Sequence, residues 1–127
     1  MDPLFVNVLA LAYLGDAVYE LKIRKVLVSE KNVSAGSLHR EALRYVSAAR
    51  QSKACPLLQS LLSEDEASVF IRARNANPPH VPKSAELSEY HYATALEAVF
   101  GYLSLKGEET RIEELFRAVY DYLSTEI

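Results

Sequence analysis

Two carboxylates stand out by their surroundings. Asp16 is the only acid within Leu11-Ala-Tyr-Leu-Gly-Asp-Ala-Val-Tyr19, and Glu97 the only one within Tyr92-Ala-Thr-Ala-Leu-Glu-Ala-Val-Phe-Gly-Tyr-Leu-Ser-Leu105. Both stretches read as helices, and a helix that is apolar on all sides belongs in an interior. A lone carboxylate there is costly unless it is paired, protonated or bound to a metal ion. Each acid has a glycine close by, Gly15 and Gly101, and glycine permits close backbone approach. The two runs are therefore expected to cross and bring both carboxylates to one site. Their neighbours one turn away, Ala12, Thr94 and Gly101, are small and leave room for an ion with its waters. Donors that are all oxygen favour a hard cation, Mg²⁺ or Mn²⁺, over zinc. Such a site suits phosphodiester hydrolysis, the cation activating water and offsetting charge on the phosphate. Two other arrangements use the same residues: Asp16 paired with a core arginine, or Glu97 protonated and satisfied by tyrosine hydroxyls. Spacing alone leaves all three open.

The elements that must position these acids are all helical, since no convincing period-two stretch occurs. A first helix is expected from about Pro3, a favoured first-turn residue, to Val28. Beyond Asp16 it turns amphipathic, with Glu20, Lys22, Arg24 and Lys25 facing water. A second helix is expected over about Ser37 to Ala54, with Leu38, Ala42, Tyr45 and Ala49 as its buried stripe. Arg40, Arg44 and Gln51 then fall on another face, where a solvated surface is the ordinary reading. Pro56 closes that segment, followed by a short helix over Leu57 to Leu62. Ser63-Glu-Asp-Glu66 is a capping box that starts a helix through Asn75, with Arg72 and Arg74 suited to its C-terminal dipole. The proline-rich Asn77-Pro-Pro-His-Val-Pro-Lys83 is a stiff loop presenting His80 and Lys83, and such loops often place binding residues. Ser84 can cap the next helix, which contains Glu97 and stops at Gly107. The last helix spans about Glu108 to Ser124, with Ile112, Leu115, Phe116, Val119 and Leu123 as its apolar stripe.

The 127 residues are half hydrophobic, hold only four glycines and show no low-complexity segment or internal repeat, which predicts one ordered domain over 1–127. A net charge of −3 does not point to nucleic acid, though a local basic face can act within an acidic protein. The single cysteine, Cys55, can form no internal disulfide and fits the cytoplasm. The apolar run from Leu4 to Val18 lacks a basic flank, is interrupted by Asp16, and is shorter than the ~20 residues that span a bilayer; no membrane is implied. His39, His80 and His91 are too scattered for a metal motif. There is no Gly-rich phosphate loop, no nucleophile elbow and no Cys–His arrangement. Most of the eight tyrosines fall at helix-packing positions.

These residues resemble a known family. Leu14-Gly-Asp-Ala-Val18 resembles the core of the ribonuclease III signature, and Leu96-Glu-Ala-Val-Phe-Gly101 resembles that family's second metal-binding segment. Leu9-Ala-Leu-Ala-Tyr-Leu-Gly-Asp-Ala-Val-Tyr-Glu20, Leu38-His39, Tyr45-Val-Ser-Ala48, Arg74-Asn-Ala76 and Ala93-Thr94 are similar to the Mini-ribonuclease III subfamily in particular. The resemblance covers nearly the whole chain. It implies an all-α, homodimeric endonuclease with a groove for double-stranded RNA. Products would carry 5′-phosphate and 3′-hydroxyl ends, and Asp16 and Glu97 would be the metal ligands. Where full-length ribonuclease III carries further acids, this chain has Leu9, Ala12 and Thr94, which leaves fewer carboxylates for a second ion. No double-stranded-RNA-binding domain is expected after the last helix.

RNA affinity would then come from the dimer groove, reading A-form shape through phosphates and 2′-hydroxyls. Arg72, Arg74, Asn75, His80 and Lys83 are candidates for those contacts, with Arg40 and Arg44 after them. Glu20 and Thr94 are candidates for an outer shell around the ion. The subfamily further implies maturation of large-subunit ribosomal RNA precursors, with a ribosomal protein presenting the RNA. Two other readings use the same residues: a catalytically silent RNA-binding scaffold, motivated by the missing acids, and a plain helical dimerisation module.

Overall fold

The computed structural model describes residues 1–77 and 86–126. Six α-helices follow a short 3₁₀ turn at Pro3–Phe5: α1 (Val8–Glu30), α2 (Ala35–Val46), α3 (Ala48–Leu61), α4 (Glu64–Arg74), α5 (Leu87–Lys106) and α6 (Glu109–Thr125). Among the described residues there is no strand, as the all-α expectation requires, and no helix is long and apolar enough to cross a membrane.

The fold is arranged around α5, which packs on α1, α3, α4 and α6. Every residue from Ala93 to Leu103 is buried except Glu97, which is half-buried. Gly107 ends α5 in the left-handed conformation, φ 75°, where a glycine avoids the Cβ penalty. The crossing of α5 with α1 is backbone on backbone. A Cβ on Gly15 would overlap the Glu97 carbonyl and lie 2.8 Å from the Gly101 nitrogen. A Cβ on Gly101 would overlap the Leu11 carbonyl and lie 3.0 Å from the Gly15 nitrogen. Around this crossing Tyr19 packs against Phe100 and Phe116, with ring centroids 5.6 and 6.1 Å apart. Its hydroxyl donates to the Tyr45 carbonyl at 2.7 Å.

Several boundaries differ from the sequence reading. The first helix does not run from Pro3; Asn7 interrupts the chain and caps α1 by accepting from the Leu9 and Ala10 amides. The expected helix over Ser37–Ala54 is two helices broken at Ser47, which ends α2 and accepts from the Arg50 amide to start α3. Pro56 does not close α3 but lies inside it, exposed. Its ring therefore costs the helix one hydrogen bond without entering the core. The capping box forms as expected, with Ser63 and Glu66 exchanging both bonds. Glu66 is also held by Arg111 of α6, whose Nε and Nη2 donate to its two oxygens at 3.0 and 2.8 Å. The stripe expected on α6 is buried throughout. His80, Lys83 and Ser84 lie outside the described residues.

The first helix is also not buried on all sides. Tyr13, Leu21 and Val28 are 85, 55 and 63 % exposed, and Asp16 shares that open side. An exposed apolar face and the apolar face of a core have the same composition, so the run around Asp16 reads as interior although part of it is exposed.

Candidate active site

Asp16 and Glu97 reach one cleft of about 540 Å³, lined also by Gln51, Glu89, Tyr90, Ala93 and Thr94. The α1–α5 crossing accounts for this. With no Cβ at Gly15 or Gly101 the helices touch, and the residue after Gly15 comes beside the residue one turn before Gly101. A second opening flanks the first and shares Asp16, Tyr90, Thr94 and Glu97, adding Leu9, Ala12 and Tyr13. The three positions where the family resemblance places further acids thus surround the pair with apolar side chains and one threonine.

The two acids differ in setting. Asp16 is exposed and Glu97 half-buried. Burial first, and then the negative charge of Asp16, push the Glu97 carboxyl up to about 8. The Gln51 amide works against this: its Nε2 lies 3.5 Å from Glu97 Oε2 and favours the ionised form. No arginine neutralises the pair, so the alternative in which Asp16 is bridged by a core arginine finds no such partner among the described residues.

The donor set fits a hard divalent ion: the carboxylates of Asp16 and Glu97, with Glu89 on the same lining, and the Thr94 hydroxyl face the cleft, without thiol or imidazole. Among the described residues no cluster of three or more His, Cys, Asp or Glu forms, so an ion here would keep several ligand positions for water and phosphate oxygens.

The other sequence candidates are placed elsewhere. Glu20 faces a neighbouring groove between α1 and α2 and pairs with Arg24 at 3.4 Å, though its charge adds slightly to the rise at Glu97. Arg40, Arg44, Arg72, Arg74 and Asn75 do not line the cleft. Arg44 binds Glu41 and leaves Nη2 buried without a partner. Arg72 donates to the Leu4 carbonyl at 2.7 Å, and Arg74 lies 5.9 Å from the Tyr92 ring centroid. Arg40 and Asn75 are exposed.

Gln51 is the site residue that sequence reasoning assigned wrongly. It does not share a solvated face with Arg40 and Arg44; it is 2 % exposed. The usable signal was spacing: Gln51, Ala54, Cys55 and Leu58 form the buried stripe of α3 at i, i+3, i+4 and i+7. A polar residue heading an apolar stripe faces something polar inside.

A family model of the ribonuclease III domain matches residues 9–108, which contain every residue that lines the cleft. The chain belongs to the ribonuclease III family. Within it, the chain is 43 % identical over 122 residues to Mini-ribonuclease 3 of Symbiobacterium thermophilum, covering 96 % of this chain and 94 % of that one. It is 41 % identical to Mini-ribonuclease 3 of Brevibacillus brevis, covering 94 % and 89 %. A crystal structure of a Fusobacterium nucleatum protein superposes with a TM-score of 0.83 at 32 % identity, over 92 % of this chain and 93 % of that one. The chain is thus an endoribonuclease of the Mini-ribonuclease III group.

Proposed function

We propose that the protein is a divalent-metal-dependent endonuclease acting on double-stranded RNA, and that it works as a homodimer. The observation that carries this reading is the carboxylate pair, Asp16 and Glu97, in one cleft at the α1–α5 crossing. Asp16 and Glu97 are the metal ligands, with Thr94 beside them. A Mg²⁺ or Mn²⁺ ion held there would supply Lewis acidity toward a phosphate. Once ionised, the two carboxylates repel an acidic RNA backbone, so the cleft is suited to phosphate only when a cation is present. Cleavage leaves 5′-phosphate and 3′-hydroxyl ends, as the family resemblance implies.

The apolar row on α1 supports the dimer. Tyr13 and Leu21 are exposed on either side of Asp16 along that helix, and large exposed apolar side chains in a row mark an interaction surface. A second copy covering them would set two clefts along one groove. Arg40, Arg74 and Asn75, with His80 and Lys83, which lie outside the described residues, are the candidates for backbone contacts to RNA. Arg72, which donates to the Leu4 carbonyl, and Arg44, which binds Glu41, are candidates with them. The natural substrate is a precursor of large-subunit ribosomal RNA in the cytoplasm, presented with the help of a ribosomal protein, as the resemblance to the mini group suggests.

Matched double-stranded RNA, single-stranded RNA and double-stranded DNA test the substrate class, with salt varied. Cleavage confined to double-stranded RNA, with apparent affinity falling steeply from 50 to 200 mM salt, is the expected result. Equal cleavage of single-stranded RNA would refute the assignment.

A further inference from the structure

Three polar side chains are buried among the described residues: Gln51, Glu66 and Thr94. Arg111 and the capping box account for Glu66, and Thr94 stands beside the ligand pair. Gln51 has no structural partner of that kind. Its side-chain amide faces Glu97 Oε2 across 3.5 Å, a long contact of the sort that tightens when a site is loaded.

We propose that Gln51 is a positioning residue that holds the Glu97 carboxylate for the divalent ion. This rests on the reading of Asp16 and Glu97 as metal ligands. Among the described residues, Gln51 provides the only side-chain N–H donor to Glu97; the other polar neighbour of that carboxyl, Asp16, is an acid and favours its protonated form. The residue type suits the task. A lysine or arginine at this place would neutralise the pair and compete with the cation. An apolar residue would leave a half-buried carboxylate oxygen without a donor. A neutral amide favours the anion and fixes its rotation while leaving both negative charges for the metal, as ligand-orienting partners commonly do.

The amide is itself firmly placed. The Gln51 backbone nitrogen donates to the Ser47 carbonyl at 2.9 Å, and its carbonyl accepts from the Cys55 thiol at 3.4 Å. Beside it, Arg50 ties the first turn of α3 to the Arg44 carbonyl at 3.0 Å and to the Leu123 carbonyl at 2.9 Å. The α2–α3 break at Ser47 thus carries a purpose: it restarts the helix so that its first turn points an amide at Glu97.

Two variants test the assignment in the full chain. Gln51→Met keeps the length of the side chain without the N–H, and Gln51→Asn keeps the amide but withdraws it by one carbon. Each is compared with wild type for Mn²⁺ binding without RNA, read from the free-ion electron paramagnetic resonance signal. Thermal melting, the Mg²⁺ concentration giving half-maximal cleavage, and kcat and KM at saturating Mg²⁺ complete the comparison. The expected result is Mn²⁺ affinity lower by roughly 10- to 100-fold in both variants, a parallel rise in the Mg²⁺ requirement, and an unchanged KM for RNA. Lower melting temperature with wild-type Mn²⁺ affinity would mean that Gln51 only packs, and would overturn the proposal. So would an effect confined to KM. If one variant does not fold, the other decides. Absence of Mn²⁺ uptake by wild type itself would instead overturn the metal reading on which the proposal stands.

Discussion

In the ion-free protein the Glu97 carboxyl titrates at about 8, raised first by burial and then by the neighbouring Asp16 charge, so near neutral pH it is mostly protonated. A cation must displace that proton, which couples metal affinity to pH. Calorimetry of Mg²⁺ or Mn²⁺ binding in buffers of different ionisation enthalpy should show nearly one proton released per site at pH 7. Affinity should rise about tenfold per pH unit up to pH 8 and level off above it; affinity independent of pH would contradict the assignment. The same shift has a stability consequence. The folded value lies above the ordinary 4.5 of a glutamate, so this group's contribution is complete below pH 4.5 and is lost as pH rises through 8. Glu97→Gln should therefore melt several degrees above wild type at pH 9 without metal, and close to it at pH 4.5.

At the scale of elements, the α1–α5 crossing is the weak point for substitution. Gly15→Ala or Gly101→Ala drives a methyl group into a backbone carbonyl, which no side-chain motion relieves. Each should cost about 3 kcal/mol or more in denaturant unfolding and remove activity with it; a near-neutral result would mean that the helices do not touch there. The Arg111–Glu66 contact that ties α4 to α6 has the opposite pH sign to Glu97. Burial alone would raise the Glu66 carboxyl, but the Arg111 and Ser63 contacts bring it below its usual value. Its contribution is present above pH 4.5 and is lost as pH falls through the lowered value. Arg111→Met should thus destabilise the protein clearly at pH 7, by thermal melting, and progressively less as the pH falls through that lowered value.

Much of this layer was legible in the residues. The two glycine-flanked acids, the Ser63 capping box, Gly107 and the α6 stripe all carry local signals that the fold obeys. The break at Ser47 was not, because Tyr45-Val-Ser-Ala-Ala49 contains no glycine or proline and a serine hydroxyl serves a helix interior and a cap alike. Pro56 misled in the other direction: it signals a stop, yet a solvent-facing position in a helix packed on α5 tolerates it. Gln51 was misread because glutamine is mostly exposed, and only the packing of α3 on α5 shows what it faces.

The whole molecule leaves its apolar α1 face open beside the cleft, and the dimer reading turns on that face. Leu21, 55 % exposed and absent from the cleft lining, is the cleanest probe. Leu21→Glu should give a folded monomer by sedimentation, with double-stranded RNA cleavage reduced at least tenfold because one groove needs two copies. A variant that remains dimeric and active would place the interface elsewhere. Cleavage of a long double-stranded RNA decides whether Asp16 and Glu97 together hold the ion on which activity depends. Wild type, Asp16→Asn and Glu97→Gln are compared with Mg²⁺ and with EDTA. The expected result is cleavage by wild type with Mg²⁺, none with EDTA, and a loss of roughly a hundredfold or more in each folded variant. Cleavage that survives EDTA, or that either variant retains at the wild-type rate, would contradict it.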